Sequence, residues 1–332
     1  MYEIAIVGLG PAGIFTLASL PENMLKETIV FESNMIGGDL AFYGEIHANI
    51  TKQEILTAFR KIPRWFEKQE TFLKKYENDD CPLLQDICKQ MREWISPDLS
   101  RTQFHTKRMV KLIEGDQRWI LQTQDELFEA KKVIMCVGSK PITLDLPKAT
   151  LPLNQCLSKS VLERHISVTD KVVVMGTAHS GTLIMRNLHE MGCKDVVGIY
   201  KETPFLYARD GILGGLKQES AKIADEIQNK AWGDLCPTLV SIHEFSKVYR
   251  AIERADIVLY SCGFEDSVLN YYTKDNIQNT AKYDPITNRF ANIANIWGFG
   301  IAFPSHKPGT NFPDIGFHGF ITAIQNSLSA IV

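Results

Sequence analysis

Apolar residues come in two arrangements along this chain. Some form short unbroken runs, as in a strand buried on both faces; others form wider stripes that suit helices. The run Ile4-Ala5-Ile6-Val7 leads into Gly8, a helix-compatible stretch and a second short strand, so residues 3–33 predict one strand–helix–strand unit. A unit of the same form spans about 170–201 and opens with Val172-Val173-Val174-Met175 and Gly176. Residues 52–76 predict a helix, with Ile55, Phe59, Ile62, Trp65, Phe66 and Phe72 to one side and many lysines and arginines elsewhere. Pro63 should kink or split it, and Asn78-Asp79-Asp80 ends it. A further helix is predicted from Pro82 to Ile95, and strands over 104–135, closing in Val133-Ile134-Met135-Cys136-Val137 and Gly138. Pro141, Pro147 and Pro152 suit a crossing between domains. Residues 215–229 predict a helix, Ile257 to Ser261 a strand ending at Cys262-Gly263, and Ile296 to Gly298 a strand before a glycine- and proline-rich loop. The last helix begins near Gly319 and uses Ile321, Ile324, Leu328 and Ile331.

The first glycine turn reads Gly8-Leu9-Gly10-Pro11-Ala12-Gly13. Gly8 permits the tight turn, Gly10 lets the backbone approach a pyrophosphate, and Gly13 lets the helix pack on the strand. The helix N-terminus offers unpaired N–H groups and a partial positive charge. Glu32 ends the next strand, where a carboxylate can accept both ribose hydroxyls of an adenosine. The competing reading is a glycine turn that only packs. The second turn, Gly176-Thr177-Ala178-His179-Ser180-Gly181, is degenerate: Ala178 replaces the middle glycine, while Gly181 keeps the packing position. No acid ends its following strand at Tyr200. Lys201 stands there instead, with Arg209 further on, and a cation at that point suits a 2′-phosphate and favours NADPH over NADH. Glu202 argues mildly the other way, and a decayed site that binds nothing is the competing reading. Two nucleotide cradles in one chain point to electron transfer between two dinucleotides.

The bulk numbers agree with such a chain. Its 332 residues allow two domains, and 45% hydrophobic with 23% charged residues predicts a packed globular protein. A net charge of −3 excludes a broad basic field for nucleic acid. Seven cysteines without Cys-x-x-Cys spacing suggest free thiols in a reducing compartment. The first strand starts by about Glu3, leaving no room for a signal peptide, and no apolar run approaches the ~20 residues needed to span a bilayer. A soluble cytoplasmic protein is expected. No cluster has metal-ligand spacing, and no Gly-x-Ser-x-Gly elbow suggests a hydrolase.

With both cradles placed, nearly the whole chain resembles the two-dinucleotide-domain flavoproteins of the pyridine nucleotide-disulfide oxidoreductase superfamily. The low-molecular-weight thioredoxin reductases are the most similar branch. Gly8 to Gly13, with its Pro11-Ala12, resembles the FAD fingerprint. Gly37-Gly38-Asp39-Leu40 is similar to the Gly-Gly-Gln-Leu turn beside the isoalloxazine, and Val133 to Gly138 to the "ATG" segment. Cys262-Gly263-Phe264 resembles the glycine motif closing the nicotinamide domain, and Asn295 to Gly300 the strand leading to a Gly-Asp pair. The resemblance implies an α/β fold of two Rossmann-like three-layer domains, the NAD(P)-binding one inserted in the FAD-binding one. Residues 1–145 and 285–332 would bind FAD, with a helical insertion at about 52–76, and 150–282 would bind NADP(H), with NAD(H) as the other possibility.

The resemblance also implies roles. Asn49 or His47 would contact the flavin, with Gly138, Gly300 and Gly319 around it. Ala178, His179, Ser180, Lys201 and Gly263 would serve the nicotinamide cofactor. His318 either supplies a proton or charge at the flavin or caps the last helix. Two departures matter: the redox Cys-x-x-Cys is missing, and Ile301 takes the place of the aspartate that grips the ribityl chain. The expectation is therefore an FAD-dependent oxidoreductase that takes hydride from NADPH and passes electrons to a small-molecule or protein acceptor, or oxygen, with a homodimer possible. The rivals are an N-hydroxylase-like flavin monooxygenase and a flavoprotein binding module without catalysis.

Overall fold

The computed structural model describes every residue except Leu213, Asp266 and Pro308. It divides into two compact units: Met1–Ala41, Thr51–Ser139 and Asp266–Val332 form the first, Phe42–Ile50 and Lys140–Glu265 the second. The first unit begins with β1 (Tyr2–Val7), α1 (Pro11–Ser19), α2 (Glu22–Leu25), β2 (Thr28–Phe31), α3 (Lys52–Phe59) and α4 (Leu84–Leu99). It continues through β3 (Gln103–His105), β4 (Lys111–Glu114), β5 (Trp119–Gln122) and β6 (Leu127–Met135). The second unit supplies α5 (Leu153–Cys156), α6 (Lys159–His165), β7 (Lys171–Met175), α7 (His179–Met191), β8 (Asp195–Tyr200), α8 (Gln218–Gln228), β9 (Thr238–Ser241), α9 (Phe245–Arg254) and β10 (Ile257–Tyr260). The chain then returns to the first unit with β11 (Leu269–Tyr272), β12 (Gln278–Ala281), β13 (Tyr283–Asp284), β14 (Arg289–Phe290), β15 (Ile296–Gly298) and α10 (Phe317–Ile331).

In the first unit, β15, β6, β1, β2 and β3 run parallel. β6 has two roles. Its first half pairs antiparallel with β5, and its second half pairs parallel with β1 and β15. The parallel strands read as unbroken apolar runs because both faces are covered. On one face, Ala5, Val7, Ile29, Phe31, Val133 and Met135 join Trp119, Phe290 and Phe303 in a core. On the other, α1 packs against α10. β11 and β12 extend this same sheet through β4, so residues 269–281 lie in the first unit and not in the inserted one, where the resemblance put them. The second unit is a four-stranded parallel sheet in the order β10-β7-β8-β9.

The 52–76 stretch is not one helix. Thr51 and Glu54 form a capping box that starts α3, and Pro63 opens a 3-10 helix at Pro63–Thr71. Its aromatics are buried as their spacing predicted: Phe59, Trp65 and Phe72 meet Trp94 of α4, Phe15 of α1 and Phe317 of α10, with ring centroids 5.1–6.2 Å apart. Phe66 is the exception and stays exposed. Arg64 closes the far end of α1. Its Nε donates to the Ala18 carbonyl at 3.1 Å and its Nη2 to the Leu17 carbonyl at 2.5 Å, and Nη2 lies 3.4 Å from Asp98. A cation on the last carbonyls of a helix satisfies them and opposes their partial charge. Burial lowers the Arg64 pKa and raises that of Asp98, so desolvation outweighs the mutual attraction of the pair.

Removing one partner should therefore be costly. Arg64→Ala should lower unfolding free energy by about 3–5 kcal/mol. Urea denaturation checks it; a loss below about 1 kcal/mol would mean the pair and the cap are dispensable.

Candidate functional site

The parallel strands of the first unit end together, and the backbone bonds just beyond them continue the ladder. Phe299 N–H donates to Met135 at 3.0 Å, Cys136 to Val7 at 2.7 Å, Gly8 to Phe31 at 2.8 Å, and Glu32 to His105 at 3.0 Å. The sequence segments read as site motifs thus share one edge, the carboxyl end of the strands, where open α/β sheets bind ligands. Gly8 has φ +93°, and a Cβ on it would overlap the Cys136 carbonyl. A Cβ on Gly13 would overlap the carbonyl of Gly8. Gly10 differs: its added Cβ would find only the Gly38 Cα, 3.9 Å away. The space over Gly10 is open, as a ligand approaching the backbone requires. Gly10 is also the N-cap of α1 and gives no side-chain cap, which leaves the first-turn N–H groups for a ligand. Pro11 costs nothing at the first helical position.

Glu32 is buried, at 9% exposure, and is tied to the turn. Its Oε2 accepts from Leu9 N–H at 2.7 Å and its Oε1 from Asn34 N–H at 2.8 Å. Each oxygen keeps a lone pair for a hydroxyl. Gly38 approaches Gly10 so closely that a Cβ on it would lie 3.0 Å from the Gly10 Cα. Asp39 and Leu40 follow in the short 3-10 helix Gly38–Phe42. Gly300, at φ +94°, faces Ala12, where an added Cβ would lie 2.9 Å away. Gly138, at φ +73°, borders open space. Gly319, in the first turn of α10, packs against Asp314, an acid that the motif reading passed over.

The second unit repeats the turn. Gly176 has φ +97°, and a Cβ on Gly181 would overlap the Gly176 carbonyl, as in the first turn. Ser261 stands where Cys136 stands in the first unit, and its hydroxyl donates 2.9 Å bonds toward the Met175 and Gly176 carbonyls. Ala178 is the N-cap of α7 and is exposed, with no side-chain cap. Ser180 is half-buried in the first turn, and Gly263, at φ +89°, borders open space. His179 is turned inward, with Nδ1 2.6 Å from Ser220 Oγ. Burial, helped by the charge of Lys217, pulls its pKa below the ordinary value. Lys201 is exposed, 4.0 Å from Glu202, and available to a ligand. Arg209 is not: Asp225 holds it by two bonds of 2.6 and 2.8 Å while it stacks on Tyr207.

Asn49 is exposed on the 42–50 segment, which belongs to the second unit because Glu45 accepts from Lys159 N–H and Ser160 Oγ. His318, in the first turn of α10, is exposed too. Its Nε2 lies 3.3 Å from Lys61 Nζ, so it shares a surface cluster with Lys61 and Thr322. No side chain caps the start of α10, whose N-cap is Gly316. Among the described residues no group of acids, histidines and cysteines could hold a metal, and no helix is long and apolar enough to cross a membrane.

The sequence matches the family described as pyridine nucleotide-disulphide oxidoreductase over residues 2–277. The chain belongs to that family. It is an NAD(P)H-dependent flavin oxidoreductase with the two-domain fold. No curated protein matches it. The fold is shared with the bacillithiol disulfide reductase of Staphylococcus aureus (14% identity, 99% and 98% of the two chains covered, TM-score 0.63). It is also shared with the L-lysine 6-monooxygenase of Pseudomonas syringae (11%, 100% and 99%, 0.68) and the thioredoxin reductase of Lactococcus lactis (12%, 100% and 99%, 0.56).

The glycines of this oxidoreductase separate folding from binding. Gly13→Ala should cost about 1–3 kcal/mol through overpacking and lower the melting temperature. Gly10→Ala should leave melting unchanged and weaken flavin retention, read by visible absorbance; equal melting losses for both would contradict this assignment. His179, with its lowered pKa, favours the neutral form in the folded state. Its contribution is present above the ordinary histidine value of 6.5 and is lost as pH falls through the folded value. Urea midpoints at about pH 8 and about pH 5 should differ more in the wild type than in His179→Gln.

Proposed function

We propose that this chain is an FAD-dependent oxidoreductase that takes hydride from NADPH and passes the electrons to an acceptor other than a dithiol. The observation that carries the reading is the duplicated glycine turn, one copy with a buried carboxylate beside it and the other with an exposed lysine. The first copy fits FAD. The open space over Gly10, the uncapped start of α1 at Pro11, Ala12 and Gly13, and the lone pairs of Glu32 suit a pyrophosphate and an adenosine ribose. Gly38, Asp39, Leu40, Gly138, Gly300 and Gly319 would line the remainder. When bound, FAD supplies the two-electron carrier between nicotinamide and acceptor. Ile301 offers no acceptor to the ribityl hydroxyls, so they must be met by other groups.

The second copy, with Gly176, Ala178, Ser180, Gly181, Lys201 and Gly263, would hold NADPH. Lys201 is the residue that favours the 2′-phosphate. His179, inward and neutral, would support the turn from below through Ser220. The cysteines speak against dithiol chemistry. No two of them have Cys-x-x-Cys spacing or form a disulfide, and burial pushes the Cys136 and Cys156 thiols up to about 12, far from the thiolate form a disulfide exchange needs.

Anaerobic addition of NADPH should bleach the flavin absorbance, and Lys201→Ala should weaken NADPH by about tenfold while leaving NADH nearly unchanged. A yellow protein that NADPH never bleaches would defeat the proposal. Substrate-dependent oxygen uptake with a hydroxylated product would instead identify a monooxygenase.

A further inference from the structure

His179 opens α7, the helix that the second glycine turn starts without a side-chain cap, yet its ring is turned inward. Nδ1 lies 2.6 Å from Ser220 Oγ, and Ser220 donates its own hydrogen to the Lys217 carbonyl at 2.8 Å. The ring also bonds the backbone of Gly215, a contact that favours its charged form. These three contacts need three hydrogens. The Ser220 hydroxyl holds one and a neutral imidazole holds one, so the neutral cluster is one short. An imidazolium, with both ring nitrogens as donors, completes it. Ser220 is buried, at 4% exposure, and an unmet contact there is costly.

What keeps the third hydrogen away is electrostatic. Burial disfavours the charged ring, and so does Lys217 at the start of α8. The acids of the neighbouring elements are engaged elsewhere. Glu219 of α8 is turned to Arg186 of α7, and Asp225 to Arg209 of the loop before α8. On that loop Tyr207 donates its hydroxyl to Gln228, and Lys201, just past β8, stays exposed beside Glu202. The hydrogen bonds of the cluster therefore suit a charge that the local field refuses. An anion on the first turn of α7 would reverse that field.

We propose that His179 takes up a proton from solvent when a dinucleotide diphosphate settles on the first turn of α7, so that the nucleotide binds more tightly as the pH falls. The proposal rests on the NADPH reading of the second turn. His179 is here a positioning residue: its charge acts on the diphosphate through space, and its two donors fix Ser220 and Gly215 behind the turn. The direction follows from linkage. The free ring titrates below the ordinary histidine value of 6.5, and the bound anion raises it. Affinity then rises as the pH falls through the bound value and levels off below the free one.

The test is calorimetric titration of the full chain with NADP⁺, which carries the same diphosphate and cannot reduce a flavin. Titrations at about pH 7.5 in buffers of different ionisation enthalpy count the protons exchanged. Wild type should take up protons on binding, and its affinity should rise about tenfold between about pH 8.5 and about pH 6.5. In His179→Gln the uptake should vanish and the pH profile flatten; comparing the two proteins cancels the titration of the ligand's own 2′-phosphate. Ser220→Ala should also lower the uptake, because one ring hydrogen then meets the one remaining contact. Circular dichroism checks the fold, and His179→Asn, which keeps a donor near Nδ1, replaces His179→Gln if that variant fails to fold. Equal proton uptake by wild type and the His179 variant, or the same pH profile in both, would overturn the proposal. Binding without any uptake would defeat this inference alone, whereas no binding of NADP⁺ at any pH would defeat the NADPH reading and this inference with it.

Discussion

Both units hang on one contact: the first turn of a helix resting on the carbonyl of the glycine that ends the strand before it. Gly13 rests on Gly8, and Gly181 on Gly176, with no room for a methyl group in either place. That closeness aims each helix along the sheet toward the edge where the strands stop. The free N–H groups of the first turn are then brought to the one place where a phosphate gains from them. A neighbouring strand closes the third side, through Cys136 in one unit and Ser261 in the other. The difference between the two residues is chemical as well as steric. Ser261 bonds the turn's own carbonyls, while Cys136 contributes a small buried sulfur near Thr16.

The segment between residues 51 and 99 supports that contact from behind. Its aromatic rings are packed against Phe15 of α1 and Phe317 of α10, the two helices whose N-termini flank the edge. Arg64 adds a polar tie at the opposite end of α1. A buried ion pair is weak evidence of net stability. Here its geometry does more to fix position, because the same guanidinium that meets Asp98 also bonds two carbonyls of α1. The segment therefore acts on the turns through helix placement, and through Cys88 of α4, whose sulfur packs against Gly37.

How much of this was legible depended on how local the cause was. The glycine turns could be read because each requirement, a positive φ or a missing Cβ, falls on a single residue. Glu32 was legible from spacing alone, since strand length fixes where its carboxylate emerges. The 52–76 segment reads as helical from its aromatic spacing, with Pro63 expected to kink or split it; the split is there, and what the spacing could not show is the 3-10 geometry that follows Pro63. β9, α9, β11 and β12 went unread. The segments Leu269–Tyr272 and Gln278–Ala281 carry exposed Asn, Gln and Thr with little apolar alternation, and they form strands because an existing sheet edge, β4, receives them. Arg209 and His318 illustrate a second limit. Both had the right residue type, but Asp225 and Lys61, distant in sequence, determine where their side chains go.

The shared strand β6 has a consequence for how the chain is made. Its first half can zip up with β5 as soon as both leave the ribosome, but Ile296–Gly298 must travel back across more than a hundred and fifty residues to pair with Val133–Met135. Such distant partners carry a large loop-closure penalty and form late. The intervening unit, whose sheet is built only from its own strands, is free to finish first. Nascent chains would thus carry a completed second unit while the first still has a hydrophobic strand edge, unpaired and prone to sticking, that waits for the tail to arrive.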